Sequence, residues 1–221
     1  MGKALAVVTD AAAEKNPEAA VIDRIASETI KVPIVGTAPL IVHRFSEKAK
    51  QMMLDNMTGK KSPKKSKDPK AEYEAAAYRF EDGRYGFPAI AFKLATVSAA
   101  RFYPRNSVTM TALKQFLFVH GEIGDQGDML VPILGDGPRM RESVVRVARG
   151  GADLRYRPEF VNWSVELIVT YVSSALTRGS ILSLIDAAGM GVGIGEWRPE
   201  KRGMNGTFRI DDSTDIEVIT S

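Results

Sequence analysis

The chain has no cysteine at all. Disulfides, thiolate metal sites and cysteine nucleophiles are excluded together, and the composition suits a reducing compartment. Histidine is nearly as scarce, with His43 and His120 alone, so most catalytic constellations built on imidazole cannot be assembled. No run of about 18 apolar residues occurs, and no membrane span or membrane partner is expected. The opening "MGKALAVVTD" has too short an apolar stretch before Thr9 and Asp10 to serve as a signal-peptide core. A cytoplasmic protein of a bacterial or phage-infected bacterial cell is the simplest expectation.

What is present is ordinary in amount and uneven in placement. A chain of 221 residues with 44% hydrophobic and 26% charged residues is long enough to bury one full core. Its net charge of +3 hides a segregation. Residues 59–70, "GKKSPKKSKDPK", hold six Lys and one Asp, and residues 139–157 hold six Arg against Glu142 and Asp153. Acid collects at the other end, in "DDSTDIEVITS".

Residues 1–27 are Ala-rich without a sustained apolar stripe and read as an N-terminal arm. Residues 28–221 read as one α+β domain, with a flexible Lys-rich loop at 59–69 that lacks any apolar residue. Within the domain, Glu28–Val35 has the β-branched enrichment of a strand. Ser46–Met57 reads as a helix capped by Ser46, with Ala49, Met53 and Met57 aligned. A helix starts at Asp68 with Pro69 behind the cap and Tyr73, Ala77 and Phe80 on one stripe. "PAIAFKLATVSAARFY" reads as a buried helix through Ile90, Phe92, Leu94 and Val97. Short β-type runs follow in "LKQFLFVHG", "MLVPILG" and "ESVVRVARG". In "VNWSVELIVTYV" strict alternation puts Val161, Trp163, Val165, Leu167, Val169 and Tyr171 on one face. A last helix, Ser180–Ala188, is closed by Gly189. Without the inserted helices and an extra hairpin near 143–157, the order reduces to β-α-β-β-α-β, a ferredoxin-like antiparallel sheet with one free face. In RNA-recognition modules nucleotides lie on such a face.

The stretch "GMGVGIGEWRPEKRGMNG", residues 189–206, holds six of the 19 glycines beside Trp197, Arg198, Lys201 and Arg202. Bare backbone of this kind can take positive φ and present N–H groups to an anion. Its place after a helix is wrong for a dinucleotide fingerprint, and no Lys-Ser/Thr closes it as in a Walker loop. The other reading is a long bend in which Val192 and Ile194 plug the core. Gly189, Gly191, Gly193 and Gly195, placed after the second core helix, resemble the glycine-rich loop of the repeat-associated mysterious proteins (RAMPs) of CRISPR systems, which contacts RNA there. The resemblance implies a backbone-binding protein of a kind that forms filaments. The compact, cysteine-free style with a Lys-rich insertion is also similar to that of short proteins of tailed phages.

Single-stranded nucleic acid is held by cations along the phosphates and aromatic platforms for the bases. The candidate contacts are Lys60, Lys61, Lys64 and Lys65 on the loop, and Arg146, Arg149, Arg155 and Arg157 on the hairpin with Arg139 and Arg141. Gly191, Gly193, Gly195, Trp197, Arg198, Lys201 and Arg202 complete the set. If "DLRYRPEF" is extended, Arg155 and Arg157 share one face and point outward together. Ordinary solvated surface charge is the competing account. Trp163, in the apolar alternation, reads as core. No cofactor or metal is expected, because Asp125, Asp128 and Asp136 sit in turn sequences where Asp serves local needs.

Three functions follow. The first is non-enzymatic binding of single-stranded DNA or RNA through a basic sheet face and the glycine loop, with self-association. The second is a phage or filament assembly subunit. The third is a metal-independent ribonuclease, in which His43 would be the general acid or base, as the resemblance to RAMP ribonucleases implies.

Overall fold

A computed structural model describes residues 24–45, 47–59, 67–104, 109–146 and 151–219. In chain order it forms β1 (Ser27–Gly36), β2 (Leu40–Ile41), α1 (Glu47–Met57), α2 (Pro69–Ala75), β3 (Tyr78–Arg79) and β4 (Tyr85–Pro88). Next come α3 (Ala89–Ala99), α4 (Met110–Phe116), β5 (Leu117–His120), β6 (Glu122–Ile123), β7 (Met129–Pro132) and β8 (Leu134–Gly135). The last third holds β9 (Arg139–Arg146), β10 (Ala152–Phe160), β11 (Trp163–Val172), α5 (Arg178–Gly191), β12 (Phe208–Ile210) and β13 (Glu217–Ile219). Most of the 1–27 arm and of the 59–69 loop lies outside the described residues.

The architecture is α+β with antiparallel sheets. The main sheet runs β12-β1-β11-β5, with β13 continuing the β12 edge and β8 the β5 edge. Its register sets Ile30 opposite Val169, Val32 opposite Leu167 and Ile34 opposite Val165. Directly opposed residues share a face, so both apolar sets point into α3 and α5, which pack on one another. Ile30, Val32 and Ile34 are fully buried there, each contributing roughly 1.5–3 kcal/mol. Trp163 belongs to the same layer, donating its indole N–H to the Ala38 carbonyl at 2.9 Å.

Two smaller sheets flank this core. The first is β2-β10-β9, dominated by the long β9–β10 hairpin; the second is β3-β4-β7-β6. Arg44, just after β2, joins them: its buried guanidinium pairs with Asp125 at 2.9 Å and Asp128 at 3.2 Å and lies 5.2 Å from the centre of the Tyr78 ring. Those two aspartates therefore do more than shape a turn.

Several local expectations shift. The 110–120 segment is first a helix, because Thr109 accepts from the Ala112 N–H at 3.2 Å and caps α4; only Leu117–His120 is strand. Asp68 caps α2 as expected, accepting from the amides of Lys70 and Ala71, but the helix stops at Ala75, and Phe80 is buried from the loop after β3. On α3 the buried face is Ala89, Phe92, Ala95, Thr96, Val97 and Ala99, while Ile90 and Leu94 face outward. Small residues let the sheet approach, so the larger side chains turn to the surface. Val161 precedes β11 in a bend and is exposed. Met53 and Met57 of α1 also stand exposed; Ser46, the expected cap, lies outside the described residues.

Candidate nucleic-acid interface

The β9–β10 register decides which hairpin side chains share a face. Arg139 lies opposite Glu159, Arg141 opposite Arg157 and Ser143 opposite Arg155. Four arginines therefore project from one side of an antiparallel ribbon. The other side presents Met140, Val144 and Leu154, all exposed. This separation follows from the alternation in "RMRES" and "DLRYRPEF", read across the hairpin.

Glu159 organises the charged side. Its carboxylate is buried and takes Nε of Arg139 at 2.6 Å together with Nη1 of Arg141. Burial works against its charge, yet the hydrogen bonds from the two guanidiniums hold its pKa below the usual carboxylate value. Both arginines remain substantially solvent-exposed, and each keeps further N–H donors for an outside acceptor. Arg155 lies 3.6 Å from Asp153, which also holds Lys67.

Arg157 departs from the expected outward placement. It is only 3% exposed and pairs with Glu196 of the glycine-rich loop, and its Nε is buried without a hydrogen-bond partner. Burial pulls its pKa down, opposed by the Glu196 charge. Glu196 also accepts from the imidazole of His43, Nδ1 to Oε1 at 3.0 Å. Its own pKa is lowered because the His43 hydrogen bond and the Arg157 charge outweigh burial. His43, Glu196 and Arg157 thus form one chain of contacts joining β2, the loop and β10. Across this side of the hairpin Lys67, Arg139, Arg141, Arg155 and Arg157 stand against Glu72, Asp153, Glu159 and Glu196, an excess of one positive charge.

The glycine-rich stretch is in large part structural. Helix α5 runs through Gly189 to Gly191, beyond the expected end, and Gly189 serves packing instead of capping: a Cβ there would lie 2.1 Å from the Phe208 carbonyl oxygen of β12. The left-handed cap falls at Gly193, φ 69°, whose N–H reaches the Ala188 carbonyl at 2.8 Å. Val192 and Ile194 are buried, as the bend reading expects. The loop is pinned through Glu196 N–H to Ile41 O at 3.0 Å and Gly206 N–H to Pro39 O at 2.8 Å. The amides of Gly195, Trp197 and Arg198 have no acceptor among the described residues. Trp197 itself is half-exposed and takes φ 54°. Arg198 is tied back, to Glu200 at 2.8 Å and to the Gly195 carbonyl at 3.1 Å, whereas Lys201 and Arg202 are exposed.

The structure therefore brings Arg155, Arg157, Gly195, Trp197 and His43 into one region. Gly191 faces Phe102 instead. The side chain of Arg146, and all of Arg149, Lys60, Lys61, Lys64 and Lys65, lie outside the described residues. Glu159 and Glu196 were missed by the sequence reading, although a carboxylate amid arginines in "RYRPEF" and beside the glycines in "GIGEWRP" was a usable signal.

No family model and no curated protein matches the chain. Among solved structures, it is similar to a chain of a Type III-B Cmr-beta assembly bound to cognate target RNA, with TM-score 0.44 and 8% identity over 87% of this chain and 61% of that one. It is also similar to Cmr6 from Pyrococcus furiosus, with TM-score 0.41 and 9% identity over 85% of this chain and 100% of that one. The chain spans 61% of the length of the first of these. Among the described residues no helix is long and apolar enough to cross a membrane.

Proposed function

We propose that this chain is a RAMP-like protein that binds single-stranded nucleic acid without enzymatic turnover, using the arginine side of the β9–β10 hairpin and the adjoining loop. The observation that carries the reading is the alignment of the solvent-exposed Arg139, Arg141 and Arg155 on one ribbon face, with Arg157 buried beside them against Glu196, and with two of the three sharing a single buried carboxylate. Such sharing leaves positive charge unneutralised at fixed spacing, which suits a row of phosphates. The unpartnered amides at Gly195, Trp197 and Arg198 lie next to it and suit an anionic oxygen. A ferredoxin-like core is supported by the strand order β12-β1-β11-β5, with α3 between β1 and β5 and α5 between β11 and β12. The basic face belongs to the hairpin sheet, beside this core.

Fluorescence anisotropy with labelled RNA and DNA strands of about 30 nucleotides tests the reading. If three phosphates are neutralised, affinity falls roughly 40-fold between about 50 and 300 mM salt. Binding indifferent to salt contradicts it. No binding at about 50 mM, with large oligomers at high salt, favours the assembly subunit, for which the exposed Met53, Leu54 and Met57 of α1 would be the contact.

A second reading, ribonuclease action, draws on the His43–Glu196 contact, since a carboxylate on Nδ1 orients the other ring nitrogen outward. It requires RNA cleavage that is lost in His43→Ala while binding persists.

A further inference from the structure

Where α3 and α5 end, four large apolar side chains stand open: Phe102 at 48%, Trp197 at 53%, Met190 at 82% and Met204 at 84% exposure. Phe102 closes the turn after α3, and its ring lies so close to Gly191 that a Cβ there would meet Cζ at 2.5 Å. Met190 is the neighbouring residue on α5. The loop folds the backbone around Met204 against that of Trp197: the Asn205 N–H reaches the Trp197 carbonyl at 3.0 Å, and Gly203 packs against the same carbonyl too closely for any side chain. Glu200 ties the two halves, holding Arg101 at 3.1 Å and Arg198 at 2.8 Å.

Three properties of this shelf point to its ligand. Trp197 takes φ 54°, a left-handed conformation that costs an L side chain energy and that glycine would accept freely. A half-exposed ring recovers little of that through burial, so the fold holds an aromatic outward against its backbone preference. Secondly, Arg101, Arg198, Lys201 and Arg202 border the shelf, and Glu200, already shared by two of them, is the carboxylate that answers them. An apolar partner protein would be matched by the shelf and opposed by this rim; a polyanion with flat apolar faces is matched by both. Thirdly, the loop that carries Trp197 is tied to the arginine hairpin, because Glu196, next in the chain, pairs with Arg157.

We propose that Phe102, Met190, Trp197 and Met204 form a nucleobase-stacking subsite that selects unpaired over base-paired nucleic acid. The proposal rests on the nucleic-acid reading above and narrows its ligand to strands whose base faces are free. The indole of Trp197 stacks on a base, Phe102 and the two methionines receive its neighbour, and the bordering cations face the phosphates between them. A duplex shows only base edges and phosphates, so it engages the cations and leaves the ring uncovered.

The test uses the full chain and a single strand of about ten nucleotides bearing one 2-aminopurine, alone and annealed to its complement. Tryptophan emission reports chiefly on Trp197, since Trp163 is buried and will not meet the strand. The single strand is expected to quench both tryptophan and 2-aminopurine emission, and the duplex neither. Trp197→Ala should weaken single-strand binding roughly tenfold and leave duplex binding unchanged; Trp197→Phe should restore most of it. Trp197→Gly should melt no lower than the parent chain, showing that the ring is not needed for folding. Strong single-strand binding that Trp197→Ala leaves unchanged, or equal quenching by the duplex, overturns the subsite while the nucleic-acid reading stands. Absence of any binding at low salt removes that reading and the subsite with it. Self-association abolished by Trp197→Ala assigns the shelf to a protein partner and overturns the proposal.

Discussion

The open face of the main sheet and the charged side of the β9–β10 hairpin are both antiparallel surfaces, and they handle charge in opposite ways. On the main sheet Lys31 bonds Glu166 at 2.8 Å and has Glu217 opposite it on the other side, Thr29 bonds Thr170 at 2.7 Å, and Phe118 lies beside Thr170, with Lys93 4.6 Å from its ring centre. Lys31 is therefore met by carboxylate and leaves no positive charge over. On the hairpin Arg139 and Arg141 divide one carboxylate between them. A free sheet face is thus not by topology a binding face; the unanswered charge is what distinguishes the two.

The strongest way to break that comparison is to remove the unanswered charge. Arg139→Gln with Arg141→Gln keeps donors for Glu159 but deletes two cations. Affinity for a single strand should fall about 10- to 100-fold, and the salt slope should shrink by about 1.4, the value for two phosphates on a single strand. Lys31→Gln with Phe118→Ala on the main sheet should change affinity by less than about twofold. Equal losses from both pairs would mean that the sheet face binds as well, and the distinction would fail.

Glu159 sharpens the comparison from the other side. Glu159→Gln leaves one arginine with a weaker partner around a buried site and should lower stability by about 1–3 kcal/mol, read from denaturant midpoints. Removing a negative charge should leave strand affinity the same or raise it. If affinity drops as far as in the double arginine variant, the spacing of the guanidiniums matters more than their charge.

The β11 alternation and the cap at Asp68 were legible in the sequence because each depends on neighbours within a turn or a strand, whereas the helix-closing glycine was expected at Gly189 and lies at Gly193. The α+β class followed from the change of period between them. Three things were not. The outward turn of Ile90 and Leu94 depends on which α3 face the sheet approaches closest, and small residues decided that. The burial of Arg157 depends on Glu196, 39 positions away in the chain but in direct contact with it. The role of the glycines was ambiguous because the same residue type permits close packing, as at Gly189 against Phe208, and positive φ, as at Gly193. Charge runs were visible; their pairing across a hairpin needed the register.

The smallest effect concerns a carboxylate of the main-sheet region, answered as locally as Lys31. Glu28 receives Nε of Arg178 at 2.8 Å and the Tyr171 hydroxyl at 2.6 Å. These bonds, that from Arg178 foremost, bring its pKa from the ordinary 4.5 down to about 2. A carboxylate with a lowered folded pKa contributes stability that is fully present above its unfolded value and is lost as pH falls toward the folded one. The window for Glu28 therefore runs from about pH 4.5 down to about pH 2. Glu28→Gln should melt lower than the parent chain near neutral pH, and the difference should narrow through that window. Because Glu28 stands apart from the hairpin arginines, strand binding at neutral pH should be untouched. A difference in melting temperature that stays constant between pH 5 and 2 would show that the contact acts through hydrogen bonding independent of charge, and that the locally answered half of the molecule is not held electrostatically at this point.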